Sequence, residues 1–239
     1  MLVRCSKASH WRHSQEKLHV PVLGYAMDLR VVEIFASIQG ESTRAAQPCS
    51  FVRLAGCDVG CAWCDTPEAQ DAAAGRGWSV DQICAEVETL GLELVELTGG
   101  EPLMQRRGVA ELSRRLLDAG RIVMLETSGC HPVAGLDGRI EVMMDVKTPS
   151  SGAAGRLCEG NLAALDANDE VKFPLADRDD YEWARAFLAR HDLSQVRAIH
   201  FSPIWGRLDP RTLAGWMRTD PAVGRVRLAV QLHKLLGLR

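Results

Sequence analysis

The 239-residue chain carries 28 Lys and Arg against 31 Asp and Glu, a net charge of −3 that leaves no basic footprint for nucleic acid or an anionic membrane. Its 46% hydrophobic and 25% charged residues are those of an ordinary globular chain, and no apolar run approaches the roughly 20 residues of a membrane-spanning helix. The length suits one domain with a sizeable core, and the use of eight cysteines fits a reducing cytoplasm.

Residues 1–26 read as a disordered extension. The stretch is basic, holds His10, His13 and His19, shows no sustained period and lacks the apolar core of a secretory signal. These histidines are expected to be solvated rather than metal-bound. From Met27 short β-branched runs alternate with longer helical patterns, so 27–239 is expected to be one catalytic domain. Strands are expected at 30–37, 49–56, 92–99, 121–128, 139–146, 169–175, 196–203 and 224–232. Helices are expected at 79–91, 107–120, 178–192 and 209–220, the first and last opened by the capping residues Ser79 and Asp209. The glycines of 72–77 and 149–155 mark loops.

Strands alternating with helices predict βαβ units and a mostly parallel sheet. A complete eight-fold barrel takes about 250 residues, whereas 213 remain from Met27 onward. The expected fold is therefore α/β, an incomplete (β/α)6 TIM-type barrel. In such folds chemistry sits at the C-terminal strand ends. Gln39, Glu41, Cys57, the "TGGEP" turn, the "DVK" segment, Lys172 and Ser202 are all expected to gather there, at one mouth.

Cys57, Cys61 and Cys64 stand in C-x3-C-x2-C spacing within "GCDVGCAWCDT". A tetrahedral zinc site takes four ligands, usually as two pairs, and a disulfide framework takes an even number. Three clustered thiolates suit an iron–sulfur cluster with one open iron. The other five cysteines, Cys5, Cys49, Cys84, Cys130 and Cys158, show no motif spacing and read as small buried residues. "LTGGEP" (97–102) ends a strand on two glycines, where backbone comes close to something or adopts positive φ. A tight βα turn explains it as well as a ligand contact does.

The cysteine spacing followed by Gly-Gly-Glu-Pro resembles the radical SAM superfamily. Further stretches resemble the 7-carboxy-7-deazaguanine synthase family in order along the chain: "IFASIQGEST", "SFVRLAGCDVGCAWCDT", "ELTGGEPLMQ", "LETSG", "MDVKTPSSG", "IHFSPIWG" and "VQLHKLLGLR". Asp58 and Ser42 depart from the residues common at their positions, asparagine and glycine. The resemblance implies a lyase reaction, 6-carboxy-5,6,7,8-tetrahydropterin to 7-carboxy-7-deazaguanine with loss of ammonia, on the route to queuosine and other deazapurines. It implies a [4Fe–4S] cluster, S-adenosylmethionine and Mg²⁺ as cofactors, an electron donor such as flavodoxin or ferredoxin, and a cytoplasmic homodimer that binds neither nucleic acid nor membrane.

Carried over position by position, Cys57, Cys61 and Cys64 would hold the cluster and Thr66 the Mg²⁺. Trp63, Cys64, Asp65, Gly100, Glu101, Asp145, Val146, Lys147 and Ser202, Pro203, Ile204 and Trp205 would bind the cofactor, with Gly100 and Glu101 at the methionyl amine. Ile38, Gln39, Gly40, Glu41, Arg53, Thr98, His233 and Arg239 would bind the pterin. No residue is assigned to the proton removal. Simpler roles stand beside these: a structural ion pair for Arg53, a turn cap for Gln39 or Thr66, solvated strand ends for Lys147 and Lys172, packing for Trp63 and Trp205. Two other functions share parts of the pattern. A glycyl-radical activating enzyme would need an open peptide cleft, and a non-catalytic metal-binding module would give the strand-end polar residues no task.

Overall fold

Six parallel strands carry the architecture, and what flanks them sets the site. The computed structural model describes residues 28–238; the expected extension over 1–26, with Cys5 and its three histidines, and Arg239 lie outside the described residues. In chain order the elements are β1 (Asp28–Ile38), β2 (Pro48–Leu54), β3 (Arg76–Ser79), α1 (Val80–Leu90), β4 (Leu94–Gly99), α2 (Arg106–Asp118) and β5 (Ile122–Thr127). There follow β6 (Glu141–Asp145), α3 (Asn161–Ala164), β7 (Glu170–Leu175), α4 (Arg178–Arg190), β8 (Ala198–Pro203), α5 (Pro210–Arg218), β9 (Val226–Leu228) and α6 (Leu232–Leu235). The sheet order is β3-β1-β2-β4-β5-β6-β7-β8-β9. Strands β2 and β4 to β8 are the expected parallel set, β9 extends it, and the linear order leaves the barrel unclosed.

Local signals account for the helices. Ser79 and Gln82 form a reciprocal capping box on α1, which ends at Gly91 with φ 69°. The Asp209 and Asp177 carboxylates accept backbone N–H groups at the starts of α5 and α4. The connection from β5 to β6 departs from the pattern because it holds no helix. The buried Asn161 side chain stands in for one by serving its backbone: Oδ1 accepts from Val133 N at 3.0 Å, and Nδ2 donates to the Gly129 and His131 carbonyls at 2.9 and 2.8 Å.

Two further departures concern strands. β3 lies where a loop was expected and pairs antiparallel with Asp28–Val31 of β1. β1 itself runs antiparallel to β2, Ile38 opposite Pro48, so residues 39–47 lie at the N-terminal end of the parallel strands, not at the mouth. Nine residues are too few for a parallel crossover, which needs about a dozen. Gln39 and Glu41 thus belong to a floor loop.

The alternation of side chains in the parallel strands separates two environments. Outward residues such as Val95, Leu97, Val171, Phe173, Ile199 and Phe201 join the helices in the main core. Inward ones near the floor are apolar, where Cys49, Leu94 and Met124 pack together. Above that layer the inward positions include Arg53, Glu96, Thr98, Glu126, Asp145, Lys172 and Ser202, which line a cavity.

Candidate active site

At the mouth, the cysteine loop leaves β2 through Gly56, at φ 97°, and is tied at its base by Gly56 N to Ala69 O (2.8 Å) and Cys57 N to Gln70 O (2.9 Å). Ala62 N donates to Ser151 O at 3.0 Å, and Trp63 Nε1 to Ser150 Oγ at 2.9 Å. Asp58 receives His131 Nε2 at 3.2 Å and Arg156 Nη2 at 3.3 Å. A carboxylate there gains the Arg156 guanidinium as an ion-pair partner, which gives the Asp58 departure a local reason. Cys57, Cys61 and Cys64 are free, half-buried and face the same cavity. Burial pushes the Cys61 thiol up, and the Lys147 ammonium opposes it.

The fit of this loop to a cluster rests on its donor set. Three unpaired thiols share one wall, and among the described residues no three His, Cys, Asp or Glu side chains converge on a point that would hold a single ion. Nearby, Asp145 Oδ1 is buried with no hydrogen bond, although Lys172 Nζ lies 3.1 Å away without the alignment of one. An orphaned acceptor beside the thiols suits a ligand with donors.

The Gly-Gly turn has a packing reason. A Cβ on Gly99, at φ 149°, would collide with the Leu54 backbone, and one on Gly100 with the carbonyl oxygens of Gly56 and Ala69. Both glycines line the cavity, whereas Glu101 does not. Its carboxylate is fully buried and accepts Leu103 N (2.9 Å), Thr127 Oγ1 (2.8 Å), Ser128 N (2.8 Å) and Ser128 Oγ. Both oxygens are engaged in holding the turn to β5. Val146 is likewise absent from the lining and packs in the main core.

Deeper in, the cavity of about 530 Å³ is a charged chamber of a size typical for a small ligand. Lys172, 5% exposed in its side chain, pairs with Glu41, with Glu126 at 2.7 Å and with Asp145 at 3.1 Å. Lys147 takes the other Asp145 oxygen at 3.0 Å and lies 5.4 Å from the Trp63 ring centroid. Neither lysine is the solvated strand end that sequence allowed. Burial works against the charge of Glu126, but Lys172 overrides it and holds the carboxyl down to about 2. Glu96 has no such partner: burial first, then the Glu126 charge, pushes it well up, and it receives Gln39 Nε2 at 3.3 Å.

Gln39 does cap a turn, its Oε1 accepting Glu41 N and Ser42 N at 2.9 and 3.0 Å. Ser42 Oγ accepts Arg44 N at 3.0 Å, a bond that glycine would lack. The floor loop is anchored below the sheet by Thr43 to Glu170, which also bonds His200 at 2.6 Å, and by Arg44 to Glu141 at 2.6 Å. Arg53 pairs with Glu33 through Nε at 2.9 Å while also lining the cavity. Thr66 makes no side-chain cap to its turn and sits at the rim, Oγ1 3.5 Å from Gly99 O.

The segment after β9 crosses the open side of the sheet. Gln231 Nε2 donates to Glu41 at 2.8 Å, Leu232 N to Gly40 O at 3.2 Å, and Lys234 reaches Asp65 at 3.0 Å. The His233 ring occupies the space that a side chain on Gly40 would need. Burial pulls the His233 imidazole down, against the Glu41 charge.

The cavity therefore gathers Ile38, Gln39, Gly40, Glu41, Arg53, the three cysteines, Trp63, Asp65, Thr66, Thr98, Gly100, Asp145, Lys147, residues 202–205 and His233. Trp205 stands half-exposed at its rim. Sequence reasoning gave no role to Glu96, Glu126, Gln231 and Lys234. Counting by twos from Thr98 would have found Glu96. Of the motifless cysteines among the described residues, Cys49 is fully buried, whereas Cys84, Cys130 and Cys158 are half-exposed.

Comparison with known proteins agrees with this geometry. Residues 52–151 match the model of the radical SAM superfamily. The chain is 40% identical to a 7-carboxy-7-deazaguanine synthase of Koribacter versatilis, over 87% of this chain and 96% of the relative. It is 42% identical to that of Chlorobaculum tepidum, over 87% and 94%. The crystal structure of QueE from Escherichia coli superposes with a TM-score of 0.72 at 25% identity, covering 87% of this chain and 95% of the other. With identity of this order along nearly the whole length of both relatives, the chain belongs to the 7-carboxy-7-deazaguanine synthase family.

Proposed function

We infer that the protein converts 6-carboxy-5,6,7,8-tetrahydropterin to 7-carboxy-7-deazaguanine with release of ammonia, in 7-deazapurine biosynthesis. The observation that carries this reading is one chamber that the three free thiols and the Gln39–Glu41 floor share. An activating enzyme would need an open cleft for a peptide; this chamber is crossed by the Gln231–Lys234 segment.

Cys57, Cys61 and Cys64 would hold a [4Fe–4S] cluster, with S-adenosylmethionine between Trp63–Asp65, Gly100, Asp145–Lys147 and residues 202–205. When bound, these groups supply a 5′-deoxyadenosyl radical able to take a hydrogen atom from C6 of the pterin. The chain's own work is binding and orientation. Glu41 accepts N–H donors of the pterin edge, and Gln39, Ile38, Gly40 and Thr98 shape its seat. Arg53 keeps its Nη groups for the substrate carboxylate. His233 closes over the substrate, and Arg239 is assigned to the substrate with it. Thr66 offers a hydroxyl to Mg²⁺, whose other ligands would be substrate oxygens and water.

A flavodoxin or ferredoxin as reductant and a homodimer complete the reading; the exposed Leu235, Leu236 and Leu238 supply apolar surface of the kind a subunit contact covers. The test is an anaerobic assay of cluster-loaded protein with the carboxytetrahydropterin, S-adenosylmethionine, Mg²⁺ and a reductant. Formation of 7-carboxy-7-deazaguanine is expected, and its loss in each Cys→Ala variant. Cofactor cleavage without product, or product from a variant lacking Cys61, would overturn the assignment.

A further inference from the structure

We propose that Lys172 is a positioning residue that couples the two halves of the chamber, by dividing one ammonium group among the carboxylates of the floor, the wall and the cofactor side. The proposal rests on the functional reading above. Its ground is three ion pairs from three separate elements: Glu41 on the floor loop, Glu126 on β5 and Asp145 on β6. Lys172 springs from the middle of β7, where its neighbour in register is Asp145.

An ammonium group has three hydrogens. Two are given, to Glu41 and Glu126, while Asp145 Oδ1 is close but receives none. The constellation is therefore unequal, with one acceptor left short. A pterin amine that engages Glu41 competes with Lys172 for that carboxylate and frees a donor for Asp145. A cofactor that supplies a donor to Asp145 leaves Lys172 committed to Glu41 and Glu126. Each ligand thus sets the charge that the other meets, and the effect is reciprocal by linkage. The burial of Lys172 keeps these interactions from being screened by water. Other titratable groups around the constellation are Glu96 on β4, Lys147 beyond β6, and Asp65 and His233 toward the open side. None of them is bonded to carboxylates of both halves in this way.

The experiment is a binding cycle on the cluster-loaded chain by calorimetry. S-adenosylmethionine is titrated with and without saturating carboxytetrahydropterin, and the pterin with and without S-adenosylmethionine. In the unmodified protein each ligand is expected to weaken the other by about tenfold. Lys172→Met should bring that factor within twofold of unity, and Lys172→Arg should restore part of it. Lys172→Met leaves three carboxylates facing one another, so Lys172→Met/Glu126→Gln is measured beside it to keep a folded variant in the test; it should lack the coupling too. A coupling factor unchanged in either Met variant, or no coupling in the unmodified protein, overturns the proposal. Failure of the unmodified protein to bind the pterin at all is a different outcome, and overturns the functional reading together with what rests on it.

Discussion

Replacing Glu101 by glutamine separates a fold-holding carboxylate from a ligand-binding one. In the amide, Oε1 can still accept Leu103 N and Thr127 Oγ1. The new NH2 group then faces Ser128, whose hydroxyl can turn to accept but whose backbone N–H cannot. The Ser128 N–H and the second amide hydrogen are then both left unpaired, at a cost of at least about 1–3 kcal/mol. For a chain of this length about 2 kcal/mol lowers Tm by roughly 4–8 °C. Glu101→Ala strands further donors and should fall lower. Thermal and urea unfolding of the cluster-free protein reads this directly, because no ligand takes part. S-adenosylmethionine affinity, measured after loading at a temperature where both proteins are folded, should change less than threefold in Glu101→Gln. Unaltered unfolding combined with a tenfold loss of cofactor affinity would refute the reasoning and return Glu101 to the ligand.

Glu96→Gln should leave stability unchanged at pH 4 and raise it at pH 8. The native carboxyl is pushed up by burial, so its contribution is full below its ordinary value of 4.5 and is lost as pH rises; equal Tm gains at both pH values would contradict this. Glu126→Gln should act in the opposite direction, removing stability that the wild type holds above pH 4.5 and loses as pH falls toward 2. A Tm series from pH 7 to 3 checks it. Asp58→Asn removes the half-exposed ion pair with Arg156, worth roughly 0.2–1 kcal/mol, so a Tm drop above about 4 °C would mean the clasp does more than pair charges. Thr66→Ala should weaken the Mg²⁺ dependence of turnover and leave S-adenosylmethionine binding intact; normal turnover with an unchanged Mg²⁺ response would remove the metal role.

What was legible in the sequence was local. Ser79 and Asp209 announced their helices because a cap is settled within four residues. The cysteine spacing announced one loop carrying three thiols for the same reason. β3 was hidden because its four residues follow an Ala-Gly run and are made a strand only by Asp28–Val31, some fifty positions earlier. The two readings of Lys172, at the mouth or solvated, could not be separated because period two reports which residues share a face, not whether the face looks onto water or a chamber. Glu101 shows a subtler limit. The motif located the turn correctly, but Thr127 and Ser128, which consume the carboxylate, are brought there by the pairing of β4 with β5.

The floor loop also fixes an order of assembly. Residues 39–47 are made early, yet Arg44 meets Glu141 across 97 positions, Thr43 meets Glu170 across 127, and Glu41 meets Gln231 across 190. Contacts of such sequence separation form slowly, since the intervening chain must close before they reward it. A nascent chain stopped before β7 would hold all three cysteines, the Gly-Gly turn and the Arg44–Glu141 anchor, but not Lys172, nor the Glu170 and Gln231 that hold the rest of the floor. The thiols are in place long before the room they open onto.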